Sequence, residues 1–167
     1  MTPAIRETGE IRPATAADLD GVVSVFLGCW RESYPAVLPP EVVAAMTEER
    51  ATALWRSAPG ELRVATADSG EILGVTRWAT DGQIHSLYVA PSAQGLGLGA
   101  ALLRAATEAM RSAGARDAHL WAFRANEPAL AFYRRQGWHE DGTTRVQAEF
   151  GEPEVRLTRA LAAREAR

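Results

Sequence analysis

Apolar residues at Leu19, Val22, Val23, Phe26 and Leu27 recur at three- and four-residue steps, which puts them on one face of a helix. Thr15 or Asp18 can cap that helix, and Ile11-Arg12-Pro13-Ala14 before it reads as a short strand. Pro35, Pro39 and Pro40 interrupt the next stretch. A second helical pattern then covers Glu41 to Ser57 through Val42, Val43, Met46 and Leu54, and Pro59-Gly60 ends it. Three strand-like runs follow, Leu62 to Ala67, Ile72 to Ala79 and Ile84 to Val89. The turn signals Asp68-Ser69-Gly70 and Asp81-Gly82 between them predict an antiparallel meander. Ala101, Leu102, Ala105 and Ala109 mark a small-residue stripe on a helix that stops near Gly114, and Ala118 to Phe123 is another strand. Asn126 opens a further helix that tolerates Pro128 in its first turn and closes at Gly137. Short strands are predicted at Trp138 to Glu140 and Glu154 to Leu157. From Thr158 to Arg167 alanine alternates with charge, which predicts fraying.

A meander followed by strand, helix, strand, helix, strand predicts an α/β class, or α+β with a mixed sheet and helices packed on it. The 167 residues fit one domain over 1–167, with a core at 10–158 and a frayed tail at 159–167. No internal repeat or low-complexity linker divides it. With 47% hydrophobic and 23% charged residues and no apolar run of bilayer length, the chain reads as globular, neither disordered nor membrane-spanning. The net charge of -3 argues against nucleic acid as the main partner, because phosphate binding needs a concentrated basic surface. Met1 to Glu10 lacks the apolar core of a secretory signal, so a cytoplasmic protein is expected. Cys29, the single cysteine, rules out an intrachain disulfide and a thiolate metal cluster, and reads as a small buried hydrophobe.

The candidate chemistry begins at Gln94-Gly95-Leu96-Gly97-Leu98-Gly99, which joins a hydrophobic strand to a helix. Glycines let backbone approach a ligand closely, and the free N–H groups and dipole of the following helix favour a pyrophosphate there. A Walker loop would need Gly-Lys followed by Ser or Thr, whereas Ala100 and Ala101 follow Gly99. A Rossmann fingerprint belongs on the first strand of its unit. Asp117 sits near the right spacing for its acid, but three meander strands precede this loop.

Here the chain resembles the GNAT superfamily of N-acetyltransferases. The family's coenzyme A signature is matched by Gln94, Gly97 and Gly99, and its Leu-x-Val strand ending in proline by Leu87-Tyr88-Val89-Ala90-Pro91. A second family segment is matched by Asn126, Ala129, Phe132-Tyr133 and Gly137-Trp138. The resemblance covers Ile72 to Trp138. It implies a central, mostly antiparallel sheet with splayed middle strands and flanking helices, and acetyl-CoA as the acetyl-donor substrate with no metal. Backbone at Leu87 and Val89 would pair with the pantetheine arm, and amides from Gln94 through Gly95, Leu96, Gly97, Leu98 and Gly99 to Ala100 would hold the pyrophosphate. An amide near Tyr88 would stabilise the oxyanion, and Asn126 would help fix the arm. Tyr133 matches the tyrosine that protonates the leaving thiolate, a task suited to a phenol whose pKa lies just above that of a thiol. Phe132 and Tyr133 also read as core aromatics at a helix end.

An amine acceptor must lose a proton, and His85 is the best side chain for taking it. Strand alternation sets Ser86 and Tyr88 on the face opposite His85. The arylalkylamine acetyltransferases place a histidine at the matching position, while many members use glutamate or water. His119 and His139 have no such positional support. For the acceptor, Trp30, Glu32 and Tyr34 between the first two helices and Trp78 on the third strand are the candidates, with Phe150-Gly151 closing the other side. An acid beside aromatics suits a cationic amine, although the same residues also read as helix-corner packing. The expected activity is transfer of acetyl from acetyl-CoA to a small-molecule or protein amine by direct attack, with no nucleic acid or membrane partner and homodimer formation left open. The rivals are a non-catalytic acyl-CoA-binding module of the same fold and an unrelated nucleotide-binding protein.

Overall fold

The computed structural model describes residues 8–161. Strands β1 (Thr8–Pro13), β2 (Glu61–Ala67), β3 (Ile72–Trp78) and β4 (Ile84–Val89) form one antiparallel sheet in that order. The expected meander is its β2-β3-β4 part. Gly70 and Gly82 make the turns at φ of 90° and 97°, a backbone that L side chains rarely adopt. A second antiparallel sheet holds β5 (Asp117–Phe123), β6 (His139–Val146) and β7 (Pro153–Ala160) in the order β5-β7-β6.

The inner edges of the two sheets, β4 and β5, meet at one end only. There the His119 N–H donates to the Gly82 carbonyl at 2.9 Å, and Gln83 bridges His119 in the parallel sense. No ladder joins them further on, so the strands part as the resemblance implied.

Helix α1 (Leu19–Glu32) buries Val22, Val23, Phe26 and Trp30 against one face of the first sheet, joined by Trp55 of α3 (Glu48–Ser57). Its entry is locked by Arg12, which donates to both oxygens of Asp18 at 2.8 and 2.9 Å, while Asp18 accepts the Thr15 N–H at 2.8 Å. Helices α4 (Leu98–Ser112) and α5 (Glu127–Arg135) lie on the other face. Leu103, Ala106 and Met110 of α4 pack with Ile84 of the first sheet and Ala118 and Leu120 of the second, so α4 straddles the split. None of the described helices is long and apolar enough to cross a membrane.

Three expectations change. The helix expected over Glu41 to Ser57 divides into α2 (Pro40–Ala44) and α3, because Thr47 turns extended and its hydroxyl caps α3 by accepting the Arg50 N–H at 3.2 Å. Strand β6 continues to Val146 rather than stopping at Glu140. Its residues are nearly all polar and exposed, so neither alternation nor burial announces it, and pairing with β7 defines it. Strand β7 runs to Ala160, and Leu161 is buried with its N–H on the Arg116 carbonyl at 2.7 Å. The expected frayed tail is therefore anchored at its start, and 162–167 lie outside the described residues.

Candidate active site

Between the pairs Trp78↔Ile84 and Arg77↔Ser86, β3 advances one residue and β4 two, which makes His85 the extra residue of a β-bulge. Ile84 and Leu87 consequently pack on the α4 side although they are three residues apart. Tyr88 packs on the other side, with ring centroids 5.2 Å from Phe26 and 6.2 Å from Trp55. Alternation does not carry through a bulge, so residue spacing alone does not set the face of His85 relative to Ser86 and Tyr88. His85 is exposed. Partial desolvation lowers its pKa from the ordinary 6.5, the charges of Arg77 and His119 lower it further, and Asp81 opposes them.

Beyond the bulge, the Ala90 N–H donates to the Leu73 carbonyl of β3 at 2.8 Å. By alternation along an antiparallel ladder, the peptide groups of Leu87 and Val89 point away from β3 into the split, while that of Tyr88 points at β3. Of the peptide groups around Tyr88, those of Leu87 and Val89, not that of Tyr88 itself, are turned toward the split. The Val89 carbonyl accepts from Gln94 Nε2 and from the Cys29 thiol, each at 3.2 Å. Burial pushes the Cys29 pKa up to about 11, which keeps the thiol protonated, as befits a buried hydrophobe.

The glycine loop contributes backbone rather than side chains. Gly97 stands at φ 83° immediately before α4, with no side-chain cap on the helix, so the N–H groups of Leu98, Gly99 and Ala100 in its first turn lack intrahelical partners. Space around Gly95 and Gly97 is open. Gly99 does something different: a Cβ there would stand 3.3 Å from Cζ of Phe132, so this glycine lets α5 pack on α4. The Leu98 side chain is buried, whereas Leu96 is 50% exposed at the loop tip.

Tyr133 of α5 is half-buried, with its ring centroid 5.2 Å from Phe132 and 6.3 Å from Trp138. Burial, and secondarily Tyr88, raise its pKa well above 10, so the phenol keeps its proton. Asn126 accepts the Ala129 N–H at 3.4 Å as the cap of α5, which leaves its amide nitrogen available.

On the α1 side, the Tyr34 hydroxyl donates to that of Tyr88 at 3.4 Å. Tyr34 meets Trp30 at 4.9 Å and Phe123 of β5 at 5.9 Å between ring centroids, and Phe150 meets Phe123 at 5.6 Å. Trp30 is only 4% exposed, a wall behind Tyr34 rather than an open surface, and Glu32 is exposed at the end of α1. Trp78 does not join this group. It is 3% exposed and packs on the α4 side with Ile84, because it sits one residue beyond Arg77 and on the opposite face. Phe123 and Arg77 were missed in the sequence. A lone arginine inside the apolar run Ile72 to Trp78 was the available signal. Among the described residues, no group of three His, Cys, Asp or Glu side chains is arranged to hold a metal.

A split sheet with an unpaired strand edge, a glycine loop feeding a helix N-terminus and the half-buried, protonated Tyr133 phenol are features suited to an acyl-transfer class of protein. Residues 21–138 match the Acetyltransferase (GNAT) family, and the chain belongs to it. It is thus an acyltransferase of the N-acetyltransferase type, in a family that uses acetyl-CoA. A protein of Mycobacterium tuberculosis named as a probable N-acetyltransferase is 31% identical over 148 residues, 80% of this chain and 82% of the relative. The mycothiol acetyltransferase of Actinosynnema mirum is 42% identical over 128 residues, covering 72% of this chain but 41% of that longer protein. Among solved structures, the PaiA N-acetyltransferase of Thermoplasma acidophilum in complex with coenzyme A superposes with a TM-score of 0.72 over 90% of this chain and 98% of its own, at 20% identity. A GCN5-related N-acetyltransferase from Rhodopseudomonas palustris gives 0.76 over 92% and 96%, at 21% identity.

Proposed function

We propose that the protein transfers the acetyl group of acetyl-CoA to an amine by direct attack, without an acyl-enzyme. The observation that carries the reading is the β4 edge. The peptide groups of Leu87 and Val89 face the split, and the loop leading to the uncapped N-terminus of α4 begins five residues beyond Val89 at Gln94. An extended pantetheine arm would pair with that edge while its pyrophosphate meets the amides of Leu98, Gly99 and Ala100. Gln94 must release the Val89 carbonyl as the arm enters. Asn126 Nδ2 is the side-chain donor left to orient the arm.

Tyr133 serves as the proton donor to the departing sulfur. Burial raises the phenol's pKa, and a thiolate leaving into the same desolvated split has its pKa raised for the same reason, so the proton transfer is not opposed by the environment. His85, neutral near pH 7, takes the amine proton directly or through water. The acceptor is a small-molecule or protein amine approaching from the Tyr34 and Tyr88 side.

Tyr133→Phe tests this. We expect kcat to fall by roughly 100-fold or more, the usual scale of general acid catalysis, while the KM for acetyl-CoA shifts by less than about 3-fold. An unchanged kcat removes Tyr133 from the chemistry. Acetyl-CoA binding by the wild type with no thiol release for any amine supports the non-catalytic binding module instead.

A further inference from the structure

Among the described residues Arg77 is a cation with no ion-pair partner, and it stands across the ladder from the neighbour of the candidate base. It pairs across the ladder with Ser86, next to the bulged His85, and alternation from the core residue Val75 puts it on the Tyr88 face of β3. Its Nη1 donates to the Pro59 carbonyl at 2.8 Å, while Nε is buried and has no partner among the described residues. No carboxylate lies within ion-pair distance of it among the described residues. Asp141 and Glu154 of the second sheet are already engaged, by Arg156 at 2.6 Å and Arg145 at 2.9 Å. Arg77 is half-buried, and this partial burial without an anion lowers its pKa from the ordinary value, offset in part by Tyr88.

A cation in this place repels a polycationic acceptor and attracts one that carries an anionic group near its amine. Two residues beyond Ser86 along β4 the wall becomes aromatic: Tyr88 against Tyr34, then Phe123 and Phe150. A small acceptor with an anionic group at one end and an apolar body at the other, the form of an amino acid, offers a partner to each.

We propose that Arg77 binds the carboxylate of the acceptor, and that the acetylated amine belongs to a small amino acid with an apolar or aromatic side chain. The inference rests on the acetyl-transfer reading above and narrows its acceptor. Arg77 pairs with the carboxylate by charge-assisted hydrogen bonds, the side chain lies against Tyr34, Phe123 and Phe150, and the amine is left beside His85.

The test is release of coenzyme A thiol from acetyl-CoA with matched acceptors: phenylalanine against phenethylamine, tryptophan against tryptamine, leucine against isoamylamine, with spermidine as the polycation. The expected result is a kcat/KM at least tenfold higher for the carboxylated member of the best pair. Arg77→Met should bring that ratio toward one, and Arg77→Lys should give an intermediate ratio, with folding of both variants checked by thermal melting. Where Arg77→Met does not fold, the wild-type ratios and Arg77→Lys decide. Equal or faster reaction of the decarboxylated amines, preference for spermidine, or an equal loss for both members in Arg77→Met overturns the inference while transfer itself stands. Acetyl-CoA binding with transfer to none of the amino acids overturns it as well. Failure to bind acetyl-CoA at all removes the underlying reading with it.

Discussion

His85 is the residue at which β4 gains its extra position, and its neighbours decide what the imidazole can do. Desolvation and the charge of Arg77 lower its pKa below 6.5, so the neutral form dominates at pH 7 and can accept a proton. As pH falls through the lowered value the imidazole becomes protonated and the base is lost. If His85 is the base, kcat/KM rises with pH along a limb whose midpoint lies below 6.5, and His85→Gln abolishes that limb. A limb that survives the substitution assigns the proton to water or another group. The identity of His85 was legible in the sequence, but its direction was not, because a bulge changes the facing of a strand without leaving a mark in residue spacing. The same limit applies to the tryptophans. Trp30 and Trp78 look alike as candidates for an acceptor wall, yet one stands behind Tyr34 and the other is packed on the α4 side.

At the scale of elements, the fit between α4 and the first sheet depends on a glycine with no obvious role in the sequence. A Cβ on Gly74 of β3 would stand 2.8 Å from Leu102 Cδ1 and 3.2 Å from the Tyr88 carbonyl oxygen. Leu102 is fully buried and the carbonyl belongs to the ladder, so neither yields easily. Gly74→Ala should destabilise the protein by about 1–3 kcal/mol, as overpacking does, read as a lower urea midpoint with an unchanged m-value. A midpoint equal to that of the wild type means the helix shifts at little cost. Most elements were legible because periodicity and turn glycines act over a few residues. The two misread stretches differ in cause. Thr47 is a start signal buried inside a continuing apolar pattern, and β6 has no pattern of its own, being an exposed strand held by its neighbour.

Across the whole molecule, the two sheets share one short contact between β4 and β5, so other features must hold them together. Helix α4 spans them on one face, while the Tyr34 to Phe123 contact and the Arg50 to Glu149 ion pair tie them on the other. A donor lying in the split would add contacts that exist only in the folded protein. At 100 times its dissociation constant, acetyl-CoA should stabilise the native state by about 2.7 kcal/mol, a rise in Tm of roughly 5–10 °C for a chain of this size. Scanning calorimetry measures it, and an unshifted Tm at saturating acetyl-CoA argues against a site in the split.

The sequence by itself determined the order of most elements, the glycine loop at Gly95 to Gly99 that feeds α4, and Tyr133 as the candidate proton donor, because glycine turns, helix starts and motif spacings are encoded within a few neighbouring residues. Only the tertiary structure decided which peptide groups of β4 face the split, that Gly99 serves packing while Gly97 opens the helix end, and that Arg77, without an ion-pair partner among the described residues, stands across from Ser86 next to His85. Those outcomes depend on a one-residue register shift between strands and on residues distant along the chain, where pairing and packing rather than local propensity set the result.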